Sequence, residues 1–425
     1  MSTQPPPPPI SITDLLKRVA SPNAHSHVSP SEISLAFSRI FENRLSSIQL
    51  AAFLTLLLST SLDRDPAIIA ACAQAMRDAA LPISRPQLKS VIGKRKRELS
   101  QGSYRGGLCD IVGTGGDSHS TFNISTTSSI IASPLLMMAK HGNRAQTSKS
   151  GSADVLNCIT PTPPKLEAVS STSLSKVYES SNYVFLFAPN FHSGMRHAAT
   201  VRRELGLRTI FNIMGPLANP VEWALEARLV GVATKELGPP YAEALRLSGA
   251  RKALVVCGHE QLDEISCAGG TDVWMLSEIP NPEYKEDGTK GEDGETSDDD
   301  AVPRFTSQLS TFTLEPSDFG LPVHSLSEVG GGQGPEENAK ILMAILRNEL
   351  PPDHPILHFV LMNVAALLVV AGVCENEGPD VVEDRGPGNG RWKEGVRRAR
   401  ECITSGKALA QLEAFIRATN ELGKA

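Results

Sequence analysis

Seven cysteines in 425 residues, at positions 72, 109, 158, 257, 267, 374 and 402, form no C-x-x-C pair. They also lack the spacing of a disulfide framework, so reduced buried thiols and a cytoplasmic location are expected. A membrane-spanning run is missing too. The longest apolar stretch, Phe359 to Val373, is interrupted by Asn363 and is too short to cross a bilayer, which makes it a buried core helix. The opening MSTQPPPPPI has neither a charged-then-apolar leader nor the arginines of a transit peptide, so no targeting segment is expected. Positive charge is scarce as well: the formal net charge of −6 suggests no polyanion partner, nucleic acid included. That acidity is local. From Glu283 to Asp300 nine acids outnumber two lysines by seven, which leaves the remaining chain near +1.

What is present is a soluble, globular composition, 40% hydrophobic, with length enough for two or three domains. Residues 1–10 read as a solvated proline-rich tail. Residues 11–102 carry helical periodicity. Ser29-Pro30-Ser31-Glu32 and Ser46-Ser47-Ile48-Gln49 are capping boxes, and Asp65-Pro66 opens a third helix. Their apolar faces, including Leu35, Ile40, Phe41, Leu50, Phe53, Leu54 and Leu57, require a bundle to bury them. The basic run Lys94-Arg95-Lys96-Arg97 reads as a solvated helix end.

From residue 103 to 425 strand-like runs alternate with helical ones: 108–112, 136–139, 184–187, 229–233, 253–257 and 272–276. Such alternation implies an α/β domain with a mainly parallel sheet covered by helices on both faces. Helices are expected over 336–347, 356–371 and 394–422. Residues 280–303, rich in like charge and poor in apolar side chains, read as a flexible insertion. The alternative, a metal site at Asp298-Asp299-Asp300, is weaker. A second polar insertion covers 375–390.

The chemistry concentrates between Leu108 and Leu156. Gly113-Thr114-Gly115-Gly116-Asp117 follows the first strand at once and lacks both G-x-G-x-x-G and a Gly-Lys-Ser/Thr ending. Glycines there let backbone N–H groups approach an anion, and a helix N-terminus adds unsatisfied donors. Asn123-Ile124-Ser125-Thr126 supplies an amide and hydroxyls, suited equally to a helix cap and to phosphate or metal. Lys140-His141-Gly142-Asn143-Arg144 sets two cations and an imidazole around one glycine, and Ser148-Lys149-Ser150-Gly151-Ser152 adds three hydroxyls and another cation. Four such clusters within about forty residues describe one site for a ligand bearing several phosphates.

GTGGD, FNIST, AKHGNRA, SGSADVL, MRHAATVRRELGLRTIFNIMGPLANP and LDEIS occur in that order between Leu108 and Ser266. In this the chain resembles the anthranilate phosphoribosyltransferase family. The resemblance implies a nucleoside phosphorylase-like fold, with a small helical domain joined by helices near 195–215. It also implies magnesium-dependent transfer of phosphoribosyl from phosphoribosyl pyrophosphate to anthranilate, and a homodimer formed through the helical domain. By the same resemblance Gly113, Gly116, Asp117, Thr121, Asn123, Ser125, Thr126, Lys140, His141, Gly142, Asn143, Arg144, Ser148 and Ser152 hold the phosphates and ribose. Gly113, Asn143, His192 and Arg202, with the turn Gly215 to Pro220, line the anthranilate pocket, where Arg202 meets the carboxylate. Ser125, Asp263 and Glu264 meet Mg2+.

Ser193-Gly194 stands where the family has Pro-Ala, and Asn157 where it has Glu. The first is expected to loosen the anthranilate pocket, the second to be a surface change. No general base is assigned. Two other activities stay open on this fold. One is a pyrimidine nucleoside phosphorylase, whose lysine-serine signatures are absent. The other is a non-catalytic nucleic-acid-binding relative, which needs a basic groove.

Overall fold

The computed structural model describes residues 8–145, 150–284, 303–332 and 334–424. Ser148, residues 1–7 of the tail and residues 285–302 of the acidic insertion lie outside the described residues.

Helices Thr13–Val19, Pro30–Phe41, Ser47–Ser59 and Pro66–Asp78 begin where local chemistry stops the chain from extending. Ser29 Oγ accepts from Glu32 N at 3.3 Å while Ser29 N donates to the Glu32 carboxylate at 3.0 Å, and Asp65 Oδ1 accepts from Ala67 N and Ile68 N. The second expected capping box is only half made. Ser46 Oγ accepts from Gln49 N, but the Gln49 side chain turns instead to Ile12 N at 3.1 Å, serving a helix start whose own cap residue supplies no side chain.

Phe37, Ile40, Phe53, Leu54 and Leu57 are buried together with Ala198, Val201, Ile210, Phe211 and Met214, so the later helices Arg196–Leu205 and Ile210–Met214 complete the bundle core. Each such large side chain contributes roughly 1.5–3 kcal/mol on burial. Leu35 departs from expectation and is 56% exposed. Helix Pro30–Phe41 buries Ile33, Ala36, Phe37, Ile40 and Phe41, and position 35 falls on the opposite face. Helix Arg85–Leu99, expected in the bundle, places Leu88, Val91 and Leu99 in the α/β core. Within its basic run Arg95 donates to Glu179 O and Asn182 Oδ1, docking that helix onto the sheet domain.

Among the described residues seven strands form one sheet: β1 (Leu108–Gly113), β2 (Met137–Gly142), β3 (Tyr183–Phe187), β4 (Leu225–Gly231), β5 (Lys252–Gly258), β6 (Thr271–Pro280) and β7 (Phe305–Leu314), in the order β3-β2-β1-β4-β5-β6-β7. The first five are parallel, and β6 and β7 are antiparallel. Sequence reading missed β7, because its FTSQLSTFTL carries too few apolar residues for a strand buried on both faces; it is an edge strand, half solvated. The acidic insertion thus leaves the sheet at a hairpin, where Asn281 N donates to Arg304 O.

Helix Pro355–Ala371 is buried nearly all round. The single helix expected over 394–422 is two, Trp392–Thr404 and Lys407–Leu422, separated by left-handed Gly406 at φ +72°. The polar segment 375–390 is anchored by Glu394, which accepts from Val382 N at 3.0 Å.

From β1 the chain steps outward to β2 and β3 on one side, then crosses back to β4 on the other side of β1. This reversal opens a crevice at the carboxyl ends of β1 and β4, the place where open α/β sheets hold ligands.

Candidate functional site

A cavity of about 690 Å3 occupies this crevice, between the strand ends and the bundle. β1 delivers Gly113, after which Thr114 N donates to Gly231 O on β4. Gly115 and Gly116 take left-handed φ of +66° and +83°, conformations costly for other residues. Gly115 N donates to Asp263 Oδ2 at 2.6 Å, so the protein's own carboxylate sits on the amide where an anion would bind. Gly113 has to be glycine for the same reason, since a Cβ there would strike the Asp263 carboxylate. The loop then runs on to Asn123, whose Oδ1 accepts from Thr126 N and caps helix Ile124–Ala132; the capping role is therefore realised, and Asn123 also lines the cavity.

β2 delivers Lys140, buried to 2% exposure in a fold whose other lysines are mostly solvated. Burial pulls its pKa down, and Asp110, Glu264 and Asp263 push it back up. Asp110, itself buried on β1, accepts from His141 N at 3.3 Å and from Asn219 Nδ2 at 2.9 Å. His141 and His192 stack edge to face at 5.4 Å. Burial drives His141 well below its ordinary pKa and His192 down to about 4, so both are neutral at pH 7, and His192 Nε2 donates to Ala218 O at 2.8 Å.

From the bundle side Arg202 lies 4.9 Å from the Phe211 ring, its pKa lowered by burial. Arg144 is drawn toward solvent by Glu167 at 3.6 Å. Ser152 opens the helix that Asp154 caps through Gly151 N.

Opposite Lys140 stand two acids. Burial, then the charge of Asp117, pushes Asp263 up to about 7. Glu264 is raised well above the carboxylate range by burial and then by Asp263, and its Oε2 is buried without a hydrogen-bond partner. Among the described residues no three His, Cys, Asp or Glu side chains converge as a metal cage. A pair of carboxylates lining the same cavity as Ser125 nevertheless fits Mg2+, which takes hard oxygens from one or two carboxylates and the rest from phosphate and water. The orphaned Glu264 oxygen is the feature such an ion would satisfy.

Of the sequence-nominated residues, Gly113, Asn123, Ser125, Lys140, His141, Gly142, Asn143, Arg144, Ser152, His192, Arg202, Asp263 and Glu264 all face the cavity. Gly116, Asp117 and Thr121 lie along its loop but off the wall, and Thr126 is wholly buried within its helix. Ser148 lies outside the described residues. Of the nominated turn, Gly215 and Pro216 reach the wall. Ser193 lines the cavity too, but Gly194 packs so closely on Phe41 that a Cβ would meet its backbone; helix Pro30–Phe41 closes the space that a smaller residue leaves. Asn157 is exposed at its helix end. Sequence reading missed Met76, Arg196, Arg208, Phe211 and Asn212 on the wall and Asp110 beneath it. For Asp110 the available signal was a lone acid inside the apolar run LCDIV.

A glycosyl transferase family, helical bundle domain model matches residues 13–80, and a glycosyl transferase family, a/b domain model matches residues 105–285 and 298–409. Fold and site together thus define a glycosyl transferase made of a bundle and an α/β domain. Anthranilate phosphoribosyltransferase of Schizosaccharomyces pombe is 37% identical over 381 residues, covering 89% of this chain and 90% of its own length, and that of Saccharomyces cerevisiae is 36% identical over 380 residues, covering 88% and 87%. The Saccharomyces cerevisiae enzyme solved in complex with PRPP and Mg superposes with a TM-score of 0.74 at 31% identity, covering 97% of this chain and 99% of that one. The chain belongs to the anthranilate phosphoribosyltransferase family.

Proposed function

We infer that this chain transfers the 5-phosphoribosyl group of phosphoribosyl pyrophosphate to the amine of anthranilate, with magnesium as cofactor, in tryptophan biosynthesis. The observation that carries the reading is one cavity lined together by buried Lys140, the glycine loop and the Asp263–Glu264 pair. In the reaction the bond from ribose C1 to the diphosphate oxygen breaks, the amine nitrogen takes C1, and that nitrogen sheds one proton. Lys140, the loop amides and Ser152 hold the anionic donor. Ser125, Asp263 and Glu264 would hold magnesium, which when bound offsets the charge of the leaving diphosphate. Arg202, held against Phe211, receives the anthranilate carboxylate, and the neutral His141 and His192 with Gly215 and Pro216 wall its ring. A cation-like sugar needs no strong base to be attacked by a neutral amine, and no side chain is assigned one.

The chain is further proposed to act as a homodimer through its bundle, on which Leu35 and Ile48 are 56% and 81% exposed, and to work in the cytoplasm without nucleic acid. The unpaired state of all seven cysteines and the near-neutral charge outside the acidic insertion support these last two. No described helix is long and apolar enough to cross a membrane.

Purified protein mixed with anthranilate, phosphoribosyl pyrophosphate and Mg2+ tests the reading. Anthranilate fluorescence should fall only when all three are present. Nucleoside phosphorolysis without anthranilate consumption would overturn it.

A further inference from the structure

Arg208 sits between left-handed Gly206, φ +62°, and Thr209, the cap of helix Ile210–Met214. The flanking helices bury Ala198, Val201, Ile210 and Phe211 in the bundle core, so this residue rides on the bundle side of the cleft. Its Nη2 nevertheless donates to Gly115 O at 2.6 Å, and Gly115 belongs to the sheet side through Thr114 N and Gly231 O. The guanidinium fills the space beside Gly116 that a Cβ there would need. One side chain therefore spans the cleft mouth and rests on the anion-binding loop.

Two features make a neutral carbonyl a poor final partner for this cation. A guanidinium carries five donors in a planar fork that matches phosphate oxygens in pairs, and a single amide carbonyl engages few of them. The side chain is exposed at the cavity wall, near enough to Asp263 on the β5–β6 connection to lower that carboxyl's pKa, where Asp263 and the loop's Asp117 would otherwise repel an incoming anion. Lys140 lies at the buried end with its charge shared among Asp110, Glu264 and Asp263. Arg144 leans outward to Glu167. Among the described residues the cation positioned over the loop itself is Arg208.

We propose that Arg208 is a donor-binding residue whose guanidinium contacts the diphosphate of the phosphoribosyl donor at the cleft mouth, tying the bundle to the glycine loop while that ligand is bound. The proposal rests on the phosphoribosyl-transfer reading of the cavity. It assigns a bundle-side residue to the half of the substrate that the sheet-side loops otherwise hold.

Arg208→Gln and Arg208→Lys in the full chain test it, with calorimetric titration of inorganic pyrophosphate plus Mg2+ beside steady-state kinetics in each substrate. For Arg208→Gln, pyrophosphate affinity should fall and KM for phosphoribosyl pyrophosphate should rise by about ten-fold or more, the worth of a charge-assisted hydrogen bond. KM for anthranilate should stay within about two-fold, and Arg208→Lys should recover part of the loss because it keeps the charge without the fork. Pyrophosphate affinity and donor KM unchanged in Arg208→Gln would overturn the proposal, as would an effect confined to anthranilate. Should Arg208→Gln melt early, the folded Arg208→Lys decides by the same two readouts. Pyrophosphate binding that depends on Arg208 in a protein that leaves anthranilate unconsumed would support the proposal while removing the acceptor assignment.

Discussion

Asn219 donates its side-chain amide to Asp110 Oδ2 at 2.9 Å and to Ala139 O at the same distance, joining β1, β2 and the Gly215–Pro220 turn at one wholly buried residue. Of the acids around Lys140, Asp110 does most to hold its pKa up against burial. The pair therefore ties the strand that carries Lys140 to the turn whose Gly215 and Pro216 line the cavity. Asn219→Ala should destabilise the fold by about 1–3 kcal/mol, since it leaves a buried carboxylate oxygen without its donor. It should also lower kcat. Chemical denaturation with single-turnover kinetics measures both, and an unchanged stability would show that Asp110 finds another donor.

Arg202→Ala should raise KM for anthranilate or lower kcat/KM, with binding of phosphoribosyl pyrophosphate largely kept. Loss of a buried arginine–carboxylate pair costs about 2–5 kcal/mol, or roughly thirty-fold to several-thousand-fold. Because the guanidinium rests on Phe211, part of any stability change reports lost packing. An unaltered anthranilate dependence places that carboxylate elsewhere.

The double change Asp263→Asn with Glu264→Gln keeps size and removes the ability of either side chain to become a carboxylate. The variant should fold, lose most turnover, and need more Mg2+ for what remains, because uncharged amides are weak ligands for a hard cation. Titrating Mg2+ at saturating phosphoribosyl pyrophosphate checks this. A half-saturating concentration and plateau rate equal to wild type would reduce the two acids to a loop cap.

His192 carries a pH dependence whose sign is set by burial. Its folded pKa of about 4 lies below its ordinary value of 6.5, so between those values the unfolded chain binds the proton first. Stability is therefore full above about pH 6.5 and is lost as pH falls toward 4, by up to about 3 kcal/mol. His141 is shifted in the same direction and adds to the loss. His192→Gln, which keeps a donor for Ala218 O, should show a shallower decline of melting temperature over this window. Parallel curves for the two proteins would mean that His192 titrates normally.

Much of the site was legible in the sequence because its ligand chemistry is local. A glycine loop after a strand, a cation pair around Gly142 and adjacent carboxylates at 263 and 264 each announce themselves within a few residues, and thirteen of the nominated residues line one cavity. Periodicity likewise exposed the buried parallel strands and the bundle helices. Edge strand β7 and the break at Gly406 escaped because a half-solvated strand and a one-residue turn carry weak hydrophobic signals.

What the sequence determined by itself is the set of groups that can meet phosphate, carboxylate and magnesium, since backbone freedom and side-chain charge belong to each residue wherever it lies. Tertiary structure alone decided which of them face one another. Arg208 and Gly115 are 93 positions apart, and Asp110 and Asn219 are 109 apart; no local pattern couples such pairs. They meet because the parallel sheet brings the ends of β1 and β2 together and the chain between 195 and 218 returns to the bundle to bury its apolar face.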